Sequence, residues 1–453
     1  MDDNKINDNV PADEMQEASA QKRQTTAHVQ NSDRKKIIQT DSVQGGNIEI
    51  SRVRGRLKAE RVISRVKSGF DRPLIVIIAM LLLFGTVMVF SSSYAWAEND
   101  YGDSFYWVKR HLLWVALGLA VMLLVMQFDY KVFQKFTPAI FAVCFGCLCL
   151  VPLIGKTVNG AKRWIAIGPI QIQPTEMMKL GLVLMLSWYI SKYVMASRDL
   201  DAITAKDKNK KIFRRSFKEY MPVFFREVFI PFAIVGLVCV ITILERHMSG
   251  TIILFCIGMV VIFVGKVSPA WIGALFAVGG AAAYWLITQT GYTSDRIMAW
   301  QDPFKYELDE GWQIVQSLYA ICSGGLFGVG IGNSTQKHLY LPEPQNDYIF
   351  AILCEELGFI GAMALFAMLG TLIWRGVVIS RRAPDSFSKL VAIGITGKVA
   401  IQSILNIAVV TNTLPPTGIS LPFISYGGTA LILLMCEMGI LLSISRYSYQ
   451  KKA

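Results

Sequence analysis

The chain has 453 residues, of which 53% are hydrophobic and only 17% charged, and its mean hydropathy is +0.42. Because soluble domains carry about a quarter charged residues, this composition excludes an ordinary soluble protein. The net charge of +12 does not indicate nucleic-acid binding, since the basic residues lie beside apolar stretches, where they set membrane topology. The eight cysteines also lie in or beside apolar stretches, which favours membrane-buried thiols over metal ligands or disulfides.

The chain begins with a polar region that differs from everything after it. Residues 1–50 are rich in Asp, Asn and Gln and nearly free of aromatic residues, which predicts a disordered cytoplasmic tail rather than a cleaved signal peptide. Residues 51–72 form a basic juxtamembrane segment. Positive charge followed directly by hydrocarbon predicts an uncleaved first span with its N-terminus in the cytoplasm.

Ten apolar segments predict membrane spans, each long enough to cross most of a ~30 Å hydrocarbon core. They lie near 73–92, 108–128, 137–154, 175–194, 227–245, 250–266, 270–289, 348–375, 387–411 and 421–444. The basic segments 196–226 and 375–382 and the tail 447–453 then fall on the cytoplasmic side, as the positive-inside rule requires. We therefore expect an all-α polytopic membrane domain over 73–446, with about ten transmembrane helices and both termini in the cytoplasm.

The predicted loop between spans seven and eight, about residues 290–347, is unusually long and mixes Gly, Trp, Tyr, Pro and charged residues. Long structured loops of this kind are usually functional, so the chemistry is expected here. Its glycine-rich part, residues 324–334, follows no predicted strand and is not a nucleotide-binding fingerprint. It fits either close backbone packing or a backbone cradle for a phosphate.

Asp347 lies where this loop re-enters the membrane, directly before an apolar span. Desolvation there would raise its pKa and suit a general base. The alternative is a helix N-cap, a position that Asp also favours. Two further acids, Glu355 and Glu356, lie inside the span, where charged side chains are costly. Since adjacent residues point about 100° apart on a helix, at least one is expected to be an interhelical hydrogen-bond or ion-pair partner.

These residues, taken in order, resemble the SEDS family (shape, elongation, division and sporulation), the polytopic bacterial peptidoglycan polymerases. The resemblance runs from the first span to residue 446. The matching segments are 160–164 (GAKRW), 173–176 (QPTE) with Lys179, the whole outer loop, and 421–428 (LPFISYGG). Residues 332–337 and 341–345 look more like the division and sporulation branch (FtsW, SpoVE) than the elongation branch (RodA).

The chain also departs from the family pattern. Where relatives commonly have a proline after Gln or Glu, this chain reads Glu245-Arg246-His247. Lys398 and Glu437 lie at similar depth in the last two spans and look atypical. Because a lone buried charge is expensive, these two side chains are predicted to form an ion pair.

The resemblance implies an enzyme that polymerises lipid II, a disaccharide-pentapeptide on undecaprenyl diphosphate, into β-1,4 glycan strands outside the cytoplasmic membrane. It gives Asp347 the role of the essential catalytic residue, acting as the base of an inverting transfer. Candidate contacts to the substrate diphosphate are Lys162, Arg163, Arg296 and Lys337, while Glu343 could orient a cation or hold a metal. No cofactor is certain, and a divalent ion such as Mg or Mn is an alternative way to stabilise the diphosphate.

The resemblance also implies partners and a location. A class B penicillin-binding transpeptidase would crosslink the strands, divisome proteins and membrane lipids would surround the chain, and the division septum would be its place. The sequence leaves vegetative division and sporulation equally open. Rival functions are a lipid II flippase, which the buried charges would suit, and a non-enzymatic divisome scaffold.

Overall fold

The computed structural model describes residues 69–158, 161–168, 170–196, 224–245, 247–267, 291–309 and 311–447, with a few isolated positions. Within them, seven helices are long and apolar enough to cross a membrane. Several predicted features lie wholly or mostly outside the described residues: the tail 1–50, the segment 51–72, the loop 196–226, the span 270–289 and the tail 447–453.

The described part of the chain is a helical membrane bundle, which confirms the predicted polytopic fold. The helices are α1 (Arg72–Tyr101), α2 (Tyr106–Val125), α3 (Tyr130–Ile154), α4 (Pro174–Tyr189), α5 (Ile230–Leu244), α6 (Met248–Val264), α7 (Gly291–Gln301), α8 (Trp312–Gly324), α9 (Ile349–Arg381), α10 (Ser386–Val410) and α11 (Gly428–Arg446). The π-helical turns Ile190–Met195 and Phe225–Phe229 extend α4 and precede α5.

The start of one predicted span needs correction. The tenth span was predicted to begin near residue 421, but α11 begins at Gly428, because residues 419–427 form a buried, non-helical segment held by turns such as Ser425 N to Leu421 O (3.0 Å). One connection between the helices carries strands. Between α3 and α4, strands β1 (Lys156–Val158), β2 (Ala161–Ile167) and β3 (Ile170–Ile172) form a small antiparallel sheet in the order β1-β2-β3.

Capping and ion pairing fix the start of the bundle. Asp71 caps α1 by accepting from the backbone N–H of Leu74 at 3.0 Å, and Pro73 occupies the first turn, where its missing N–H costs nothing. The same carboxylate forms an ion pair with Arg375 of α9. Apolar packing joins the helices: α2 packs along α11, and α9 packs on α1 and α10 around Leu353, Leu365 and other fully buried side chains.

Helix α9 is broken at Gly358, whose φ of +64° is left-handed. The glycine-rich segment repairs the break: Val329 N donates to Glu355 O at 2.9 Å and Gly330 N to Glu356 O at 3.0 Å. A Cβ at Gly328 would lie 2.2 Å from Glu356 O, so only glycine allows this approach. Of the two readings of these glycines, close backbone packing is therefore the one observed, with the N–H groups of Val329 and Gly330 engaged by α9.

Candidate active site

Asp347 lies in the turn before α9, at the end of the bundle that also carries the β1–β3 sheet and the α5–α6 turn. We call this the Asp347 end. The side chain is partly buried. Burial, and secondarily the nearby Glu343 carboxylate, raise the pKa of Asp347 to about 6, while Arg163 and Arg296 oppose the shift. A carboxyl group with this pKa is ionised at neutral pH and still basic enough to accept a proton.

The backbone around Asp347 is held from two directions. Asn406 of α10 donates from Nδ2 to the Asp347 carbonyl at 2.7 Å and to the Ile419 carbonyl at 2.6 Å. The Tyr426 N–H donates to Gln345 O at 2.9 Å. The 411–427 segment is thus tied to the turn that carries the carboxylate. At Gly418, whose φ is +69°, an added Cβ would lie 3.1 Å from Asp347 Oδ2. The N-cap reading of Asp347 fails geometrically, because Tyr348 is the cap of α9 and makes no side-chain capping bond.

The predicted cations differ in their surroundings. Arg163 on β2 and Arg296 on α7 act electrostatically on Asp347, and the Arg296 guanidinium also donates to Pro416 O at 3.4 Å. Lys162 is exposed on β2, with Nζ 3.3 Å from Pro152 O. Glu343, in a left-handed turn with φ +45°, accepts from Asn346 Nδ2 at 2.9 Å. The fold therefore brings Asp347, Arg163, Arg296 and Glu343 to one place.

Lys337 requires a correction. Its side chain is fully buried, its Nζ lies 2.6 Å from Glu356 Oε1, and it lies 4.7 Å over the Tyr94 ring. Ser91 of α1 donates to the same carboxylate at 2.6 and 2.7 Å. A lysine enclosed in this way is not available to a diphosphate. If Lys337 moved to bind one, the buried Glu356 carboxylate would lose its cation, which is costly. Lys337 instead anchors the loop to α1 and α9.

Both acids at the start of α9 have partners. Glu356 accepts from the Ser91 hydroxyl of α1, which confirms the prediction that at least one of them is an interhelical hydrogen-bond partner. Glu355 accepts from the Ser334 hydroxyl and from Thr335 N at 2.8 Å. Lys398 of α10 donates to both Glu437 oxygens of α11 at 2.8 and 2.9 Å, which confirms the predicted ion pair.

A polar stripe on α10 was missed by the sequence reasoning. Lys398, Gln402 and Asn406 recur every four residues on one helical face, all buried. Gln402 Nε2 donates to Ser420 O at 3.0 Å, and Gln402 Oε1 lies 3.5 Å from Lys179, which pairs with Glu176 at 2.5 Å. The spacing of three polar residues within an apolar span was the signal that could have identified the stripe.

The donor set does not favour a protein-held metal. Among the described residues, no group of three His, Cys, Asp or Glu side chains is placed to hold one. Asp347 and Glu343 supply two carboxylates, the number with which Mg²⁺ is commonly held when substrate phosphates complete its ligands. A divalent ion shared with the substrate diphosphate therefore stays a prediction.

Comparison with known proteins identifies the family. The sequence model of the FtsW/RodA/SpoVE cell cycle proteins matches residues 72–450. The chain belongs to this family, the SEDS proteins. It is 40% identical over 384 residues to stage V sporulation protein E of Bacillus subtilis (strain 168), covering 84% of this chain and 98% of that protein. It is 33% identical over 379 residues to a probable peptidoglycan glycosyltransferase FtsW of Geobacter sp. (strain M18), covering 83% and 97%.

Solved structures share the fold of this SEDS chain. A chain from a peptidoglycan synthase complex, studied for the coordination of polymerization and crosslinking, superposes with a TM-score of 0.65 at 24% identity, covering 84% of this chain and 99% of that one. The rod shape determining protein RodA of Thermus thermophilus gives a TM-score of 0.58 at 22% identity, with 84% and 98% covered. The similarity to both sporulation and division relatives agrees with the predicted branch.

Proposed function

We propose that this chain is an inverting glycosyltransferase that polymerises lipid II into β-1,4 glycan strands at the outer face of the cytoplasmic membrane. The observation that carries the proposal is Asp347: a partly buried carboxyl group of raised pKa, flanked by two arginines, in a family whose FtsW relatives are named probable peptidoglycan glycosyltransferases. The predicted topology, with both termini in the cytoplasm, puts the Asp347 end outside, where lipid II is presented.

The proposed reaction is a single displacement. The 4-hydroxyl oxygen of the acceptor sugar attacks the anomeric carbon of the donor as the bond from that carbon to the diphosphate oxygen breaks. Asp347 accepts the hydroxyl proton, and the bonding electrons leave with undecaprenyl diphosphate. Because attack is opposite the leaving group, an α-linked donor gives a β-linked product.

Charge stabilisation of the leaving diphosphate falls to Arg163 and Arg296. A guanidinium can bind two phosphate oxygens at once, and both arginines act on the Asp347 carboxylate. Glu343 works differently: its negative charge raises the pKa of Asp347 and so keeps the base strong. Exposed Lys162 would contact the substrate headgroup only at the rim of the site.

The test is polymer formation by the purified full chain with labelled lipid II in detergent, alone and co-purified with a class B penicillin-binding transpeptidase. Asp347→Asn is the matched control, because it keeps size and polarity but removes the base. We expect glycan polymer from the parent chain and none from the variant. Detergent micelles have no leaflets, so a flippase would give no polymer, and neither would a scaffold. Polymer at the parent's rate from Asp347→Asn would overturn the assignment of the base.

A transpeptidase partner is part of the proposal. It is supported by the similarity to a chain of a synthase complex in which polymerization and crosslinking are coordinated. Location at the division septum or in sporulation, and contact with divisome proteins, follow from the branch of the family and stay predictions.

A further inference from the structure

Glu245 is a buried acid that the reaction described above does not use. It follows the last residue of α5, in the turn to α6 at the Asp347 end, and only 3% of its surface is exposed. Neither carboxyl oxygen has a hydrogen-bond partner among the residues that the structure describes. Buried polar groups are nearly always hydrogen-bonded, and leaving one unsatisfied costs stability. An acid retained at this cost needs an explanation.

Electrostatics connect Glu245 to the active site. Arg163 acts on the carboxyl groups of both Glu245 and Asp347, so one guanidinium lies within range of the two. Burial raises the pKa of Glu245 to about 8, against the opposing effect of Arg163. At neutral pH the group is therefore mostly the neutral acid, with one O–H donor and one carbonyl acceptor.

The neighbour His247 is also neutral. Burial lowers its pKa to about 3, with further lowering by Arg163 and Lys179 against the opposite effect of Glu176. Its Nδ1 lies 3.1 Å from the Thr175 hydroxyl at the start of α4. Glu245 and His247 are thus both uncharged at neutral pH, and they lie at the same end of the bundle as the charged groups around Asp347.

We propose that Glu245 is the hydrogen-bonding residue of a carbohydrate subsite that holds the donor sugar of the lipid-linked substrate. Joining two sugars requires two sugar sites, and Asp347 serves the acceptor hydroxyl. The donor is the substrate whose diphosphate Arg163 would bind, so its sugar lies beside that guanidinium. A neutral carboxylic acid matches the paired donor and acceptor groups of a sugar hydroxyl or acetamido group. This inference rests on the proposed function and names the substrate group that Glu245 recognises.

Other ligands fit less well. Ionised Glu245 would repel a diphosphate. The neutral acid carries no positive charge that could attract one. A divalent cation needs several oxygen ligands, and no group of three metal-ligating side chains occurs in the described part of the chain.

Two variants and a control separate binding from structure. Glu245→Gln keeps the shape and one donor and one acceptor. Glu245→Leu removes both while avoiding a new polar group. The control is Glu307→Gln, which makes the same glutamate-to-glutamine change at an exposed acid of the outer loop. We expect Glu245→Leu to raise KM for lipid II about 3- to 10-fold with a smaller change in kcat, and Glu245→Gln and the control to stay within about 3-fold of the parent.

The thermal stability of Glu245→Leu distinguishes a ligand-binding role of Glu245 from a structural one. If Glu245 serves a ligand, the apparent Tm of Glu245→Leu in detergent stays equal to the parent's or rises, since a buried unsatisfied group is removed. A fall in Tm that accompanies the loss of activity would make Glu245 a structural residue and overturn the proposal.

Direct binding identifies the recognised group without requiring catalysis. Binding of lipid II and of undecaprenyl diphosphate, which has no sugar, is measured for the parent and Glu245→Leu. We expect weaker binding of lipid II alone. Equal weakening of both would indicate a diphosphate contact, and no weakening would remove Glu245 from the site; either result overturns the inference. Absence of polymer from the parent would instead refute the proposed function, while the binding comparison would still decide on Glu245.

Discussion

Ionisable side chains are buried in two regions of this protein, and their surroundings differ between the two. Inside the bundle they are paired: Lys398 with Glu437 at 2.8 Å, Lys179 with Glu176 at 2.5 Å, and Lys337 with Glu356 at 2.6 Å. At the Asp347 end, Glu245 has no hydrogen-bond partner among the described residues, and the Asp347 carboxylate has a raised pKa. Paired charges fix the packing of helices. Buried acids whose desolvation is not offset by an ion pair or a hydrogen bond are candidates for contact with a substrate.

The largest effect is expected at Asp347. Asp347→Asn should lower the polymerisation rate by about 10²- to 10⁴-fold, the usual contribution of a general base. Its apparent Tm above pH 6 should equal or exceed the parent's, because the variant removes a partly desolvated charge. Rates from single-turnover assays and melting curves on the same preparations check both. A large loss of Tm would place Asp347 with the structural charges instead.

The paired region should respond in the opposite way. Lys337→Met leaves Glu356 buried and uncompensated, which should cost about 3–5 kcal/mol of stability. The double variant Lys337→Met with Glu356→Leu should recover much of this loss, as measured by thermal unfolding in detergent. Lys398→Met, alone and with Glu437→Leu, is the matched test on the other pair. A Lys337 variant of normal stability but raised KM would restore the diphosphate role and refute the anchoring one.

The effect of pH on the polymerisation rate should be smaller than the effect of Asp347→Asn and larger than that of Lys162→Gln. Asp347 must be ionised to accept a proton, and burial raises its pKa to about 6. The rate should therefore fall about tenfold per pH unit below pH 6 and level off above it. Stability has the opposite sign: the folded state binds the Asp347 proton more tightly than the unfolded chain, so this carboxyl's contribution is lost as pH rises through 6. Asp347→Asn should abolish that component of the stability profile, which melting curves between pH 4 and pH 8 would detect.

The smallest effect is expected at Lys162. This side chain is exposed, so Lys162→Gln should change stability by no more than about 0.5 kcal/mol. Its effect on KM should be a few-fold at low salt and disappear at high salt, since exposed charges are screened. Arg163→Gln, on the same strand, is the comparison: its effect should be larger and persist in salt. Equal behaviour of the two variants would place both at the rim of the site.

Much of the architecture could be predicted because the membrane restricts the choices. Long apolar segments must form helices in hydrocarbon, and a buried Lys398 needs an acid at its own depth, which Glu437 supplies. The position of Asp347, at the boundary between loop and span, was likewise visible from the order of polar and apolar residues. The sequence by itself therefore determined the multi-pass fold, the family and the candidate base.

Tertiary structure decided what surrounds each charge. Lys337 and Arg163 are equally plausible phosphate ligands in sequence, but Lys337 folds against Glu356 and Ser91, while Arg163 acts electrostatically on Asp347 and Glu245. Asn406 looks like an ordinary polar residue until its amide is seen to hold the Asp347 carbonyl. Contacts between residues tens or hundreds of positions apart leave no local pattern, because they depend on how helices pack and on how backbone breaks such as Gly358 are repaired.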